Sequence, residues 1–307
     1  SKLLMQMTLG GFVHTMGHCR SMMSVFHRSY RFTHSIHCAN SSMRLPADII
    51  DEMLAAVLLL PLCFSDVRRP VSEKVVATDA TPVAGGSCHA YVPPALARSL
   101  YRISEERGEA SRLDWNEFET IHTPTVMATP NAVTDQLIKS LVWERPQSFT
   151  FGETSHINLQ EARALLTKIV DEVQAGAFGV RYVCVNDSRV VVGAASKGRS
   201  SSVQLNGILR RFNVVCLAYH LELRLVWVST HINPGDYPSR NKPLPPSGTY
   251  GALGAATLGK RTRGTRLARG AGTICQLNFG SSGSRLLCRK WPCLTRNGRQ
   301  RPGRYSI

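Results

Sequence analysis

The stretch Gly179-Val180-Arg181-Tyr182-Val183-Cys184-Val185-Asn186 is an almost continuous run of apolar residues. Such a strand is normally buried on both faces, which requires helices on either side of the sheet that contains it. It therefore constrains the chain to an α/β architecture more strongly than any other segment. It stops at Asp187-Ser188, and a short helix over Arg189–Ala195 is expected next, with Ser188 as its N-cap and not as a catalytic group.

Further elements fit around that strand. Lys74–Asp79 and Cys88–Val92 read as two antiparallel strands turning at Gly85-Gly86. The alternation in Ser148-Phe149-Thr150-Phe151-Gly152 predicts another strand. A helix from Asn158 to about Ala175 follows, with Asn158 as N-cap and Glu161 in capping-box position. Its apolar face is Ala162, Leu165, Leu166, Ile169, Val170 and Val173, at helical spacing. Val203–His220 is a second helix, with Leu205, Ile208, Leu209, Phe212, Cys216 and Tyr219 on one stripe, and Glu222–Val228 is a further strand. About 93–147 is hard to place between these periodic segments and is expected to be an insertion outside the core sheet.

Residues 1–70 are expected to be a separate helical segment. A weak helical pattern runs through Met5–Val25. The five His (14, 18, 27, 34, 37) and two Cys (19, 38) at the start of the chain match no zinc-ligand spacing. A firmer helix begins at Leu45-Pro46-Ala47-Asp48, with Asp48, Asp51 and Glu52 complementing its dipole, and Met53–Leu60 is expected to pack until Pro61 ends it. That apolar run is too short to span a bilayer, so no membrane partner is expected. From Asn241 to Ile307 there are thirteen Lys or Arg and no Asp or Glu, and 241–307 is read as a basic tail of low order.

The formal net charge of +16 favours an acidic polymer as partner, nucleic acid before membrane. Nine scattered Cys, an odd number with no C-x-x-C pair, indicate reduced thiols and an intracellular setting, cytoplasm or nucleus. Beginning at Ser1 and not at Met, the sequence is expected to be a fragment or a processed product.

Four acids stand at element ends. Asp79 closes the first strand, Glu161 lies in the first turn of the long helix, Asp187 ends the buried strand, and Asp236 follows the last strand. Strand ends and adjoining helix starts share one edge of an α/β sheet, so these distant residues can converge. Clustered carboxylates stay ionised only beside cations, and an oxygen-only donor set selects Mg²⁺ or Mn²⁺. Two such ions would suit phosphodiester hydrolysis.

The stretches V-V-A-T-D-A-T (75–81), I-N-L-Q-E-A-R-A-L (157–165), V-C-V-N-D-S-R-V-V-V-G-A-A-S-K-G-R-S (183–200) and W-V-S-T-H-I-N-P-G-D-Y-P-S-R (227–240) occur in one order. Together, over about 74–240, they resemble the ribonuclease H domain of retroelement polyproteins of the DIRS-like or gypsy-like groups. The resemblance implies a mixed five-stranded sheet flanked by helices, carrying a long insertion between Asp79 and Glu161. It implies a metal-binding catalytic quartet of Asp79, Glu161, Asp187 and Asp236, holding two Mg²⁺ or Mn²⁺ ions. His231 would be auxiliary, and Lys197, Arg199 and Ser200 would contact phosphates.

The implied activity is cleavage of the RNA strand of an RNA–DNA hybrid, leaving a 3′-hydroxyl and a 5′-phosphate. Residues 1–70, with L-P-A-D-I-I-D-E-M-L (45–54), resemble the connection that follows a reverse transcriptase polymerase domain. The chain itself has no Asp-Asp pair and so no polymerase motif. The alternative is a catalytically inactive nucleic-acid-binding remnant of the same fold. An integrase-like strand-transfer enzyme would place its Glu last of three acids, and here an Asp is last. A basic RNA-binding protein driven by its tail is the remaining rival.

Overall fold

A computed structural model describes residues 1–37, 43–106, 108 and 131–245. The tail 246–307, and with it most of the expected low-order segment, lies outside the described residues. Among those described, five strands form one mixed sheet. They are β1 (Val71–Ala80), β2 (Ala84–Tyr91), β3 (Trp143–Thr150), β4 (Arg181–Asn186) and β5 (Glu222–Trp227), in the order β3-β2-β1-β4-β5. β1 pairs antiparallel with β2, and β2 with β3, whereas β4 runs parallel to both β1 and β5. The expected α/β fold with a mixed five-stranded sheet is observed.

The helices are α1 (Lys2–Met16), α2 (His27–Ser35), α3 (Ala47–Leu59), α4 (Pro94–Ile103), α5 (Ala132–Ser140), α6 (Ile157–Gln174), α7 (Arg189–Lys197), α8 (Val203–Ala218) and the single turn α9 (Asp236–Ser239). Alternation along β1 and β4 divides the core. Val76, Tyr182 and Cys184 face α6 and α8 with Leu165, Ile169, Leu209 and Phe212. Val75, Ala77, Val183 and Val185 face Ala97 and Leu100 of α4 and Ile138 of α5. The apolar β4 run is thus covered on both sides, as its composition required.

Several local expectations are corrected. The β1–β2 turn falls at Thr81-Pro82-Val83, where the Thr81 amide donates to the Ala84 carbonyl at 2.7 Å, and Gly85 and Gly86 lie within β2. The N-cap of α6 is His156, whose ring accepts from the Asn158 amide at 3.3 Å, so Asn158 is inside the helix. The presumed insertion supplies core at both ends: α4 packs beneath the sheet, and Trp143–Gln147 belongs to β3. Pro146 is tolerated because β3 is an edge strand, where a missing amide donor costs little. Residues 109–130 lie outside the described residues.

The helical residues before β1 build their own cluster from Met5, Leu9, Met16, Met22, Phe26, Ile49 and Ala56. Only one side of α3 packs; Leu54, Val57 and Leu58 are exposed, because a helix can turn just one face to a neighbour. Glu52 is buried and serves a different helix from its own. Its carboxylate accepts from the amides of Arg28 and Ser29, which open α2, at 3.0 and 2.9 Å, and from Arg210 of α8 at 2.9 Å. Further bonds from α8, Asn206 Nδ2 to the Ser24 carbonyl and Asn213 Nδ2 to Ser24 Oγ, tie this segment to the α/β body. Both lie in one compact unit, Ser1–Arg261.

Beneath α6 sits a charged layer. Glu172 receives Lys74 Nζ at 2.7 Å and Lys168 Nζ at 3.1 Å, and all three side chains are largely buried. His89 lies beside them, and burial, followed by the two ammonium charges, pushes its imidazole down to about 4. Among the described residues no helix is long and apolar enough to cross a membrane.

Candidate metal centre

β1 and β4 run side by side in parallel, so Asp79 near the end of one and Asp187 just past the end of the other emerge at the same sheet edge. α6 starts beside that edge and adds Glu161 from its first turns. One carboxylate oxygen from each of Asp79, Glu161 and Asp187 lies within 4.8 Å of the other two. Asp79 and Glu161 are buried, at 4% and 5% exposure, and Asp187 is half-buried. Among the described residues this is the one group of three or more acids, His or Cys with ligand atoms so close.

Bringing these charges together without a counter-ion is costly, and it disfavours their ionised forms. Burial, then the charges of Asp79 and Asp187, raise Glu161 to about 9. Asp79 is raised to about 7, first by burial and further by Asp187 and Asp236, against the opposing Ser239 hydroxyl and Arg240 charge. Elevated, desolvated, oxygen-only donors match a hard divalent cation, which would favour their ionised forms.

Polar neighbours fix the cluster. Glu161 Oε1 accepts from the Ala80 amide at 3.1 Å and Oε2 from Asn186 Nδ2 at 3.3 Å. Asn233 is the central brace: its Nδ2 donates to the Thr78 carbonyl and to Asp187 Oδ1, both at 2.9 Å, and reaches Asp79 Oδ1 at 3.5 Å. Ser239 Oγ donates to Asp79 Oδ2 at 2.5 Å. Asn186, Asn233 and Ser239 were not singled out from the sequence, although the N-P-G-D-x-x-S-R string contains two of them.

Two glycines let this brace approach. A Cβ on Gly235 would fall 2.8 Å from the Asp79 amide nitrogen, and one on Gly86 only 2.0 Å from the Ser239 nitrogen. Gly86 is therefore a site of close backbone contact between β2 and α9, not a turn residue.

Asp236 is a neighbour of the trio and not a member of it. It opens α9, close enough for its charge to raise Asp79, and its Oδ1 accepts from Arg240 Nε at 2.6 Å. His231 is exposed on a 3-10 turn, Thr230–Ile232, preceding that segment. The basic loop lies against the helical segment. Arg199 stacks over the Tyr30 ring at 4.4 Å, and Ser200 receives the Ser202 amide on its hydroxyl while its carbonyl meets His27 Nδ1. Lys197 closes α7 just before it. Ser188 caps α7 as expected, accepting from the Val191 amide at 3.4 Å.

No family model and no curated protein matches the chain. Among solved structures, one match is the foamy viral protease-reverse transcriptase in complex with an RNA/DNA hybrid, at 12% identity and a TM-score of 0.23. It covers 74% of this chain and 45% of that one, so the chain spans less than half of that protein's length.

Proposed function

We infer that this chain is a ribonuclease H-type endonuclease that hydrolyses the RNA strand of RNA–DNA hybrids. The observation that carries this reading is the convergence of buried Asp79, Glu161 and Asp187 from three separate elements at one sheet edge. The mixed five-stranded sheet is of the kind the sequence resemblance implies. Bound at this edge, two Mg²⁺ or Mn²⁺ ions would activate a water and stabilise the leaving oxygen of a phosphodiester.

The chain's own residues supply the frame for that chemistry. Asp79, Glu161 and Asp187 present oxygens at short range. Asn233 and Ser239 hold Asp79 and Asp187 in place, and the Ala80 amide with Asn186 orients Glu161. Asp236 is the fourth ligand in this reading and His231 an auxiliary group. The loop with Lys197, Arg199 and Ser200 contributes phosphate contacts, a role supported by the exposure of Arg199. The net charge of +16 draws in the nucleic-acid backbone. Discrimination of RNA from DNA comes from 2′-hydroxyl and shape contacts. The setting is an intracellular retroelement polyprotein with an upstream polymerase domain.

The test is a substrate panel with end-labelled strands in Mg²⁺ and in Mn²⁺. Cleavage confined to the RNA strand of the hybrid supports the assignment; cleavage of duplex DNA, or of single strands equally well, overturns it. The pairing of Asp236 with Arg240 is the observation that favours the inactive-remnant reading. Hybrid binding without cleavage under either ion would select that alternative.

A further inference from the structure

The Asp236–Arg240 pair flanks Ser239, whose hydroxyl donates to Asp79 of the acidic cluster. Asp236 Oδ1 is held by Arg240 Nε at 2.6 Å, with the two side chains 31% and 52% exposed. The guanidinium opposes the rise in the pKa of Asp79, while Asp236 first, and then Asp79, raise that of Arg240. A positive group of the protein's own is thus already paired with Asp236, where the four-carboxylate reading would have a bound cation. The three other acids are gathered without Asp236.

We propose that Arg240 is a phosphate-responsive latch that holds Asp236 out of the acidic cluster until the phosphate backbone of a nucleic acid draws the guanidinium away. The inference rests on the metal-site reading above and deepens it by naming what regulates the site. A half-exposed ion pair one helical turn apart is weak, so a phosphate diester can displace it. Guanidinium binds phosphate through two parallel hydrogen bonds, whereas the pair within the protein uses Nε toward one carboxylate oxygen. Release would leave Asp236 facing Asp79, and the site would gain its fourth carboxylate only when substrate is present. Arg240 is in this account a positioning residue: it acts through Asp236.

The latch is tested by Mn²⁺ stoichiometry on the full chain, read as free Mn²⁺ by electron paramagnetic resonance, without nucleic acid. Wild type is expected to bind one ion, Arg240→Gln two, and the double variant Arg240→Gln/Asp236→Asn one again. Arg240→Lys, which keeps a cation at this place, is expected to stay at one, and Arg240→Ala, expected to bind two, serves if the glutamine variant fails to fold. A gain of an ion is not what a merely structural role for Arg240 would produce. Arg240→Gln should also lower the slope of log affinity for hybrid against log salt by about one, the signature of one lost phosphate contact.

Two ions on the wild type without nucleic acid, or one ion on Arg240→Gln, overturns the latch while leaving the metal site intact. No ion on any variant overturns the metal-site reading and the latch with it.

Discussion

Replacing Glu161 by Gln isolates the cost of the buried acidic cluster. Glu161 is raised from 4.5 to about 9 in the folded chain. A carboxyl with a higher folded than unfolded pKa binds its proton better when folded, so stability falls as pH rises from about 4.5 toward 9. At pH 7.5 the unfolded chain has lost this proton and the folded chain keeps it, a gap of about three units or roughly 4 kcal/mol. At pH 5 the same cost is below about 1 kcal/mol.

Glutamine removes that cost but is not neutral in the site. Asn186 Nδ2 donates to Glu161 Oε2, and a glutamine amide there would face another amide nitrogen. Asn186 cannot simply flip, because its oxygen accepts from the Ser188 amide at 2.9 Å. That mismatch costs about 1–2 kcal/mol. The net gain at pH 7.5 is about 2–3 kcal/mol, or roughly 5–10 °C in Tm for a unit of this size. At pH 5 the variant should be equal to or slightly less stable than wild type. Melting curves of the full chain in EDTA at pH 5.0, 6.0 and 7.5 read this directly. A Glu161→Gln offset that does not change with pH would refute the account of the cluster.

Other consequences follow from the same geometry. Saturating Mn²⁺ at about 100 times its Kd should stabilise wild type by about 2.7 kcal/mol, and Asp187→Asn should lose most of that shift in a thermal-shift titration. Gly86→Ala places a Cβ 2.0 Å from the Ser239 nitrogen, so it should cost about 1–3 kcal/mol in denaturant melts and blunt the Mn²⁺ response by displacing Ser239 from Asp79. Glu172→Ala strands Lys74 and Lys168 in the layer under α6 and should cost about 3–5 kcal/mol; a melt indistinguishable from wild type would contradict the burial of that network.

The architecture was legible where burial leaves a periodic trace. β4 announced itself by its nearly unbroken apolar run, and α8 by its stripe, of which Leu205, Leu209, Phe212 and Cys216 are buried and Ile208 and Tyr219 partly so. The convergence of Asp79, Glu161 and Asp187 followed from element ends in an α/β sheet. What the sequence hid was set by distant partners. Gly85-Gly86 looked like a turn, yet Gly86 is small because α9, some 150 positions on, presses its backbone against β2. Half of β3 was missed because an edge strand with Trp143, Glu144, Arg145 and Pro146 carries no alternating signal.

His156 as N-cap ran against the usual preference for Asn, which drew the start of α6 to Asn158. Asn233 and Ser239 sat in plain view within the motif that flagged Asp236. Their roles depend on reaching Asp79 and Asp187 across the sheet edge, which spacing alone does not reveal.

The central claim is that these acids serve hydrolysis of RNA paired to DNA. Its most direct test is cleavage of a hybrid with a 5′-labelled RNA strand by the full chain in Mg²⁺, beside Asp187→Asn and an EDTA control. The account predicts shortened RNA ending in 3′-hydroxyls with wild type alone, with both proteins retaining the hybrid in a binding assay. Cleavage by Asp187→Asn at the wild-type rate, or undiminished cleavage in EDTA, would contradict it.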